Sequence, residues 1–233
     1  MNNDTETKPK NLTNPIIKST IQNSLTLGLF SVLTVGLISL TYILTSDRIL
    51  EQVRSYEAKA LIAILPDTTY DNILLDTTIT LQPSRLLSTR SEKKAFIAFK
   101  QNQPLAIILP AVAPNGYNGQ IELLVGINRD GTLSGVRVVT HKETPGLGDK
   151  IDTKITNWIL GFNGKSLENI DERGWAVQKD GGQFDQFTGA TITPRAVVAA
   201  VHKALKYFEA HQQELLNKDL IKKNGTQDSQ HDQ

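Results

Sequence analysis

The stretch from Lys93 to His141 contains four runs rich in β-forming residues, separated by turn residues. The runs are KKAFIAFK (Lys93–Lys100), PLAIILPAV (Pro104–Val112), QIELLVGIN (Gln120–Asn128) and LSGVRVVTH (Leu133–His141). Asn115-Gly116 and Asp130-Gly131 are the clearest turn signals, and the second pair predicts a hairpin. Because successive short strands joined by tight turns pair with their neighbours, the stretch predicts an antiparallel sheet.

Helical patterns follow the sheet. The segment Pro194–His211 places Val197, Val201, Ala204, Leu205 and Phe208 on one face, as expected of a helix that packs against a core. Thr193 is predicted to cap this helix, with Pro194 in its first position. A shorter helix is predicted over Asp152–Leu160 and a further strand over Trp175–Val177. Together these elements predict one α+β domain with an antiparallel sheet and packed helices.

The N-terminal part carries a membrane signal. No charged residue occurs between Ser19 and Ser46, and the apolar core SLTLGLFSVLTVGLISLTYILT covers Ser24–Thr45. As a helix this core is about 33 Å long, against a hydrocarbon thickness of about 30 Å. A cleaved signal peptide would have a shorter apolar region ending in small residues, whereas the first alanine is Ala58. The sequence therefore predicts a retained transmembrane helix.

The charges near this helix leave its orientation open. Three basic residues precede it and three follow it: Lys8, Lys10 and Lys18, then Arg48, Arg54 and Lys59. Equal numbers give the positive-inside rule nothing to decide. After the membrane, Asp47–Leu65 has a helical apolar pattern that ends at Pro66.

The composition excludes several classes of function. The chain has 233 residues and a formal net charge of +1, without the dense basic cluster of nucleic-acid-binding proteins. It has no cysteine, which excludes disulfides, thiol catalysis and thiolate-bound iron–sulfur clusters. Its four histidines show no HxxxH pairing. We therefore expect neither nucleic acid nor a metal ion as a partner.

Two segments hold the candidate binding residues. In HKETPGLGDKI (His141–Ile151), two glycines around Leu147 predict a tight turn with exposed backbone amides. In DGGQFDQFTGATITPRAVVAAV (Asp180–Val201), TGAT runs directly into the predicted helix. A helix N-terminus attracts phosphate groups, but a threonine there can equally be a simple cap. Neither segment is a GxGxxG fingerprint or a Walker motif, so a ligand site and a capped turn both stay open.

The residues DQFTGAT (Asp185–Thr191) resemble the D-x-x-(S/T)-G-A-T signal of proteins that a flavin transferase modifies. The chain as a whole resembles the RnfG (RsxG) family, the G subunits of Rnf ion-translocating oxidoreductase complexes, which are related to NqrC. The resemblance covers about residues 20–208 and includes APNGYNGQIELLVGI, HKETPGLGDKI, WAVQKDGG and FDQFTGATITPRAVV.

This resemblance implies a flavin mononucleotide (FMN) joined to Thr191 by a phosphoester bond, with Asp185 serving recognition by the transferase. The other implied cofactor contacts are Thr188, Gly189 and Ala190 at the phosphate end, and Glu143, Thr144, Leu147 and Gly148 along the flavin. The implied function is electron relay in a membrane complex that couples electron transfer to ion translocation, without turnover by the isolated subunit. The implied partners are other Rnf subunits, the flavin transferase and membrane lipid.

The resemblance also implies a location and an organisation. The FMN domain is expected on the periplasmic side of the inner membrane. The expected parts are a cytoplasmic N-terminal segment (1–23), the transmembrane helix (24–45), a membrane-proximal helix with a connecting region (46–90), the FMN-binding domain (91–211) and a polar, disordered tail (212–233).

Three alternative functions are kept for comparison. The first is that of NqrC, the corresponding component of a sodium-translocating NADH:quinone oxidoreductase, which shares the flavinylation motif and the topology. The second is a flavin-free binding module on a membrane anchor, in which TGAT is only a helix cap. The third is a self-sufficient flavin reductase, which the absence of a nicotinamide-binding pattern disfavours.

Overall fold

The computed structural model describes residues 15–217, which divide into two compact units on either side of the bond between Arg54 and Ser55. Helix α1 spans Pro15–Ile64, so this division falls inside a helix. Both predicted N-terminal helices, Ser24–Thr45 and Asp47–Leu65, overlap α1. Its part Ile17–Ser46 is long and apolar enough to cross a membrane. Most of the predicted segments 1–23 and 212–233 lies outside the described residues.

A five-stranded sheet forms the centre of the second unit. Its strands are β1 (Thr78–Leu81), β2 (Lys93–Lys100), β3 (Gln103–Gly116), β4 (Gly119–Asn128) and β5 (Leu133–Thr140). They pair in sequence order, and every pair is antiparallel. The predicted antiparallel sheet is therefore confirmed, and with it the α+β class. The turn between β3 and β4 lies at Tyr117-Asn118, two residues later than the predicted Asn115-Gly116.

The sheet is buried on both faces because alternate residues of its strands point to opposite sides. Helix α2 (Ile192–Leu215) and the irregular segments 141–191 supply partners for the larger core on one face. The end of α1 packs on the other face, in a smaller cluster with Leu74, Ala106, Ile108 and Leu124. In β3 the alternation is plain, since Ile107 and Leu109 join the larger core while Ala106 and Ile108 join the smaller one.

Three predictions about local structure are wrong. Asp152–Leu160 is not an α-helix; the structure has turns there, followed by a 3₁₀ helix over Trp158–Phe162. The Asp152 carboxylate accepts a bond from the Lys154 amide, and the Thr156 hydroxyl donates to the Lys150 carbonyl. Such local side-chain bonds compete with helical ones.

The second wrong prediction is the strand at Trp175–Val177. Only an isolated bridge forms there, between Val177 and Phe184, before a 3₁₀ turn. Gly182 lies directly against the Ala176 backbone, so the chain folds back on itself and does not extend along the sheet. The third concerns the start of α2: Thr191, and not Thr193, is the N-cap residue, which moves Pro194 to the third helical position.

The end of α1 sits in a socket formed by two paired glycines. Gly126 and Gly135 are opposite each other in β4 and β5. A Cβ atom on Gly126 would overlap the Cγ2 atom of Ile64, and one on Gly135 would lie 3.2 Å from the Ile64 Cα atom. Arg137 adds a hydrogen bond from its guanidinium to the Ala63 carbonyl at 2.6 Å. This glycine socket therefore lets the helix approach the sheet closely, and the arginine satisfies a carbonyl of the last turn.

The Gly126→Ala variant is expected to lower the free energy of unfolding by about 1–3 kcal/mol, because the new methyl group overlaps Ile64 in a packed site. Thermal unfolding of the detergent-solubilised protein measures this effect. The Ser134 hydroxyl oxygen would overlap the same methyl group, so the comparison uses a background with both Ile64→Ala and Ser134→Ala, in which Gly126→Ala should cost much less. Equal costs in the two backgrounds would show that the socket does not set the helix position.

Candidate functional site

The start of α2 presents an unused hydroxyl group. Thr191 is the N-cap residue, with φ −84° and ψ −20°, yet its side chain makes no capping hydrogen bond. Thr193 is fully buried, and its hydroxyl donates to the carboxylate of Glu143. Neither threonine therefore acts as the simple cap that the alternative interpretation of TGAT requires.

The glycine-containing loop after β5 lies beside this helix start. The amides of Leu147 and Gly148 both donate to the Thr144 carbonyl at 3.1 Å, which closes the tight turn predicted from the sequence. The Asn118 side-chain amide donates to the Thr144 hydroxyl at 3.0 Å and so ties the loop to the β3–β4 turn. Gly146, with φ +78°, adopts the left-handed conformation that favours glycine.

These segments surround an open cleft of about 290 Å³, close to the lower end of the range for sites that bind small ligands. Its lining comes from the β3–β4 turn, the loop after β5 and the start of α2: Tyr117, Glu143, Thr144, Leu147, Gly148, Gly189, Ala190, Thr191, Ile192 and Thr193. Three apolar side chains in this lining, Tyr117, Leu147 and Ile192, are 65%, 42% and 46% exposed. The cleft thus combines a helix N-terminus, which suits an anion, with exposed apolar surface, which suits a flat hydrophobic group.

Most of the predicted cofactor contacts lie in this one cleft. Its lining includes Glu143, Thr144, Leu147, Gly148, Gly189, Ala190 and Thr191. Thr188 is exposed but is not part of the lining. Tyr117, Ile192 and Thr193 also line the cleft but were not among the predicted contacts. Tyr117 lies within the APNGYNG motif, and Ile192 directly follows Thr191. Their position next to motif residues was the one sequence feature that could have identified them as contacts.

The motif loop before α2 is held by aromatic packing and by the Asp185 backbone. The indole N–H of Trp158 donates to the Asp185 carbonyl at 2.9 Å, and the Trp158 ring packs edge-on against Phe187 at 5.1 Å. The Asp185 carboxylate accepts a bond from the Gln178 side chain at 2.7 Å. Asp185 and Gln186 are themselves exposed. The loop is therefore held on one side by these contacts and exposed on the other.

A charged pair braces the same region from outside the cleft. Arg195, in the first turns of α2, makes two hydrogen bonds to the Asp180 carboxylate, at 2.5 and 2.6 Å. Hydrogen bonding by this guanidinium lowers the pKa of Asp180, and the carboxylate in turn raises the pKa of Arg195. Both side chains are exposed, so the pair contributes orientation more than stability. Among residues 15–217 no cluster of three or more histidine or acidic side chains is arranged to hold a metal ion.

Comparison with known proteins gives consistent matches. Residues 116–206 match the FMN-binding domain family, and residues 10–64 match the RnfG N-terminal region. The chain is 50% identical over 199 residues to the G subunit of the ion-translocating oxidoreductase complex of Pseudomonas aeruginosa, covering 85% of this chain and 93% of that protein. It is 49% identical over 196 residues to the corresponding protein of Vibrio cholerae, covering 84% and 93%.

Among solved structures, the crystal structure of Shewanella oneidensis NqrC aligns with 62% of this chain and 74% of its own, at 23% identity and a TM-score of 0.43. The sequence matches are the more informative comparison. The span that matches the FMN-binding domain contains all ten residues of the cleft.

Proposed function

Because the chain belongs to the family of G subunits of ion-translocating oxidoreductase complexes, we propose that its cleft holds an FMN esterified to Thr191. Family membership makes the chain an electron-transfer subunit with an FMN-binding domain. The proposal adds the covalent bond and its position. It also adds the coupling of electron relay to ion movement, with no turnover by the subunit alone.

The observation that carries the proposal is the state of the Thr191 hydroxyl. It lies in the lining of the cleft, at the start of α2, and the helix does not use it as a cap. A phosphoester at this oxygen would place a negative phosphate at the positive end of the helix dipole, beside amides that have no partner within the helix. The position therefore supports attachment through phosphate.

The remaining cleft residues fit the rest of an FMN. Gly189 and Ala190 carry little or no side chain, so a bulky group can approach the backbone next to Thr191. The exposed Tyr117, Leu147 and Ile192 side chains offer apolar surface to a flat ring. When bound, FMN supplies the electron-accepting and electron-donating chemistry, and the protein sets its position and electrostatic surroundings.

The proposal extends to maturation, location and partners. The exposed Asp185 and Gln186 would be presented to a flavin transferase. The span Ile17–Ser46 would anchor the chain in the inner membrane among lipids and the other Rnf subunits, with the FMN domain on the periplasmic side. The side of the membrane is taken from the family resemblance, since the flanking charges do not decide it.

Mass spectrometry of the denatured full-length protein, after co-expression with a flavin transferase, tests the proposal. We expect the intact mass to increase by the mass of FMN less one water. Peptide mapping should locate the adduct to Thr191, because this residue lines the cleft and its side chain makes no capping bond.

Expression without the transferase is the control and should give the unmodified mass. An unmodified mass in the presence of a transferase that modifies another target would contradict the phosphoester. It would favour the flavin-free binding module instead.

A further inference from the structure

Glu143 is a buried carboxylate whose bonds join the walls of the cleft. The residue is 5% exposed. Its Oε1 atom accepts a bond from the Asn118 amide at 3.0 Å. Its Oε2 atom accepts one from the Tyr117 amide at 3.3 Å and one from the Thr193 hydroxyl. Because the protein itself engages both oxygens, Glu143 is better placed to organise the cleft than to bind a ligand directly.

The bonds of Glu143 connect three segments that are distant in sequence. Its amide partners precede it by 26 and 25 residues, and Thr193 follows it by 50. Each segment also contributes to the cleft lining, through Tyr117, Leu147 and Thr191 respectively. A change at Glu143 would therefore alter the position of these walls relative to one another.

Two glycines leave the space that this carboxylate needs. A Cβ atom on Gly116 would lie 2.9 Å from its Oε1 atom, and one on Gly148 would lie 2.7 Å from its Oε2 atom. Both distances are shorter than carbon and oxygen atoms normally approach. Gly148 therefore leaves space for this carboxylate and its Thr193 partner, whereas Gly116 leaves space for the carboxylate and also for the Gly119 carbonyl, which a Cβ atom there would overlap.

The electrostatic effect of Glu143 depends on the kind of groups that bond to its carboxylate. All three are neutral donors, two amides and one hydroxyl, and an ionised carboxylate accepts hydrogen bonds but donates none. Neutral donors stabilise a charge without cancelling it. A charge in a buried site also acts over a longer range than one in water. Any ligand in the cleft that gains electrons would gain negative charge close to this carboxylate.

We propose that Glu143 is a positioning residue that holds the three cleft walls in register, and that its charge lowers the reduction potential of the flavin. It acts through its bonds to Tyr117, Asn118 and Thr193 and through its field. The inference rests on the proposed function, because its second part requires FMN in the cleft.

A redox titration of flavinylated protein tests the charge. Glu143→Gln keeps the shape of the side chain and removes its charge, so the flavin should be easier to reduce. At the midpoint potential of the wild type, the ratio of reduced to oxidised flavin should rise several-fold. Glu143→Asp keeps the charge and should stay closer to the wild type. Glu209→Gln makes the same chemical change on α2, about 24 Å beyond Thr193, and should have no effect.

Hydrogen exchange of the apoprotein tests the positioning. The backbone amides of Tyr117 and Asn118 should exchange faster in Glu143→Gln than in the wild type. This difference does not depend on whether flavin is attached. If Glu143→Gln does not fold, Thr193→Val removes one donor while keeping the charge. That variant should speed the same exchange and leave the potential near the wild-type value.

The outcomes separate this inference from the proposed function. A wild type without covalent flavin contradicts the proposed function and the charge effect, and the exchange rates then decide the positioning role alone. A folded, flavinylated Glu143→Gln variant with an unchanged potential and unchanged exchange rates would overturn the inference while leaving the proposed function intact.

Discussion

The Thr191→Ala variant is expected to carry no covalent flavin. The substitution removes the oxygen that would form the phosphoester, so no smaller loss is expected. Because the Thr191 side chain makes no capping bond, its removal should change the free energy of unfolding by only about 0.5 kcal/mol or less. Mass spectrometry of the denatured variant measures the attachment, and thermal unfolding measures the fold.

Matched variants make this result specific. Thr191→Ser keeps a hydroxyl at the same place and should retain the flavin. Thr153→Ala removes an exposed threonine from the loop after β5 and should leave the flavin content unchanged. A covalent flavin in denatured Thr191→Ala protein would rule out this residue. Peptide mapping would then test Thr188, the other hydroxyl of the TGAT motif.

The Gly148→Ala variant is expected to damage both the fold and the cleft. Its Cβ atom would lie 2.7 Å from the Glu143 Oε2 atom and 2.8 Å from the Thr193 hydroxyl oxygen. Neither atom can move freely, because the two are bonded to each other and buried. We expect a loss of about 1–3 kcal/mol in the free energy of unfolding, or roughly 2–12 °C in melting temperature. The fraction of flavinylated protein should fall as well, because the walls around Thr191 would shift.

Gly161→Ala is the control for this substitution. A Cβ atom at Gly161 would have no neighbour within 4 Å, and this glycine is exposed. The control should unfold at nearly the wild-type temperature and keep its flavin. Similar melting temperatures for the two alanine variants would mean that the space beside Glu143 is not needed.

Four of the five strands could be predicted closely from the sequence, because strand patterns and turn residues are local; β1 was not predicted as a separate strand. The run Lys93–Lys100 was predicted with the bounds that β2 has, and the other three runs differ from their strands by one to four residues at the ends. The helix Pro194–His211 was also confirmed, and α2 extends it at both ends. In these elements, the apolar residues that recur at the spacing of a strand or a helix are the ones that the structure buries.

The failed predictions involve groups whose partners are distant in sequence or compete locally. The Thr193 hydroxyl looked like a cap because it precedes Pro194, but its partner is Glu143, 50 residues earlier. The Asp152 and Thr156 side chains bond to nearby backbone in a way that a helical pattern does not reveal.

The position of the site was accessible from the sequence only through motifs. The resemblance drew attention to TPGLG and TGAT, and the structure brings both to one cleft. Without the resemblance, the TGAT residues are compatible with either a ligand site or a helix cap. What decided against the simple cap was the missing bond at Thr191 and the buried bond at Thr193, which no local pattern shows.

The glycine socket at Gly126 and Gly135 limits how far the chain can be shortened from its N-terminus before the remainder no longer folds by itself. Cutting after α1, at the loop that begins with Pro66, would remove Leu61 and Ile64 and expose one apolar face of the sheet to water. We therefore expect the smallest fragment that folds by itself to begin inside the helix, near Ser55, where the second compact unit starts. Residues 55–64 are part of the same helix as the apolar span Ile17–Ser46, yet they belong to the second compact unit.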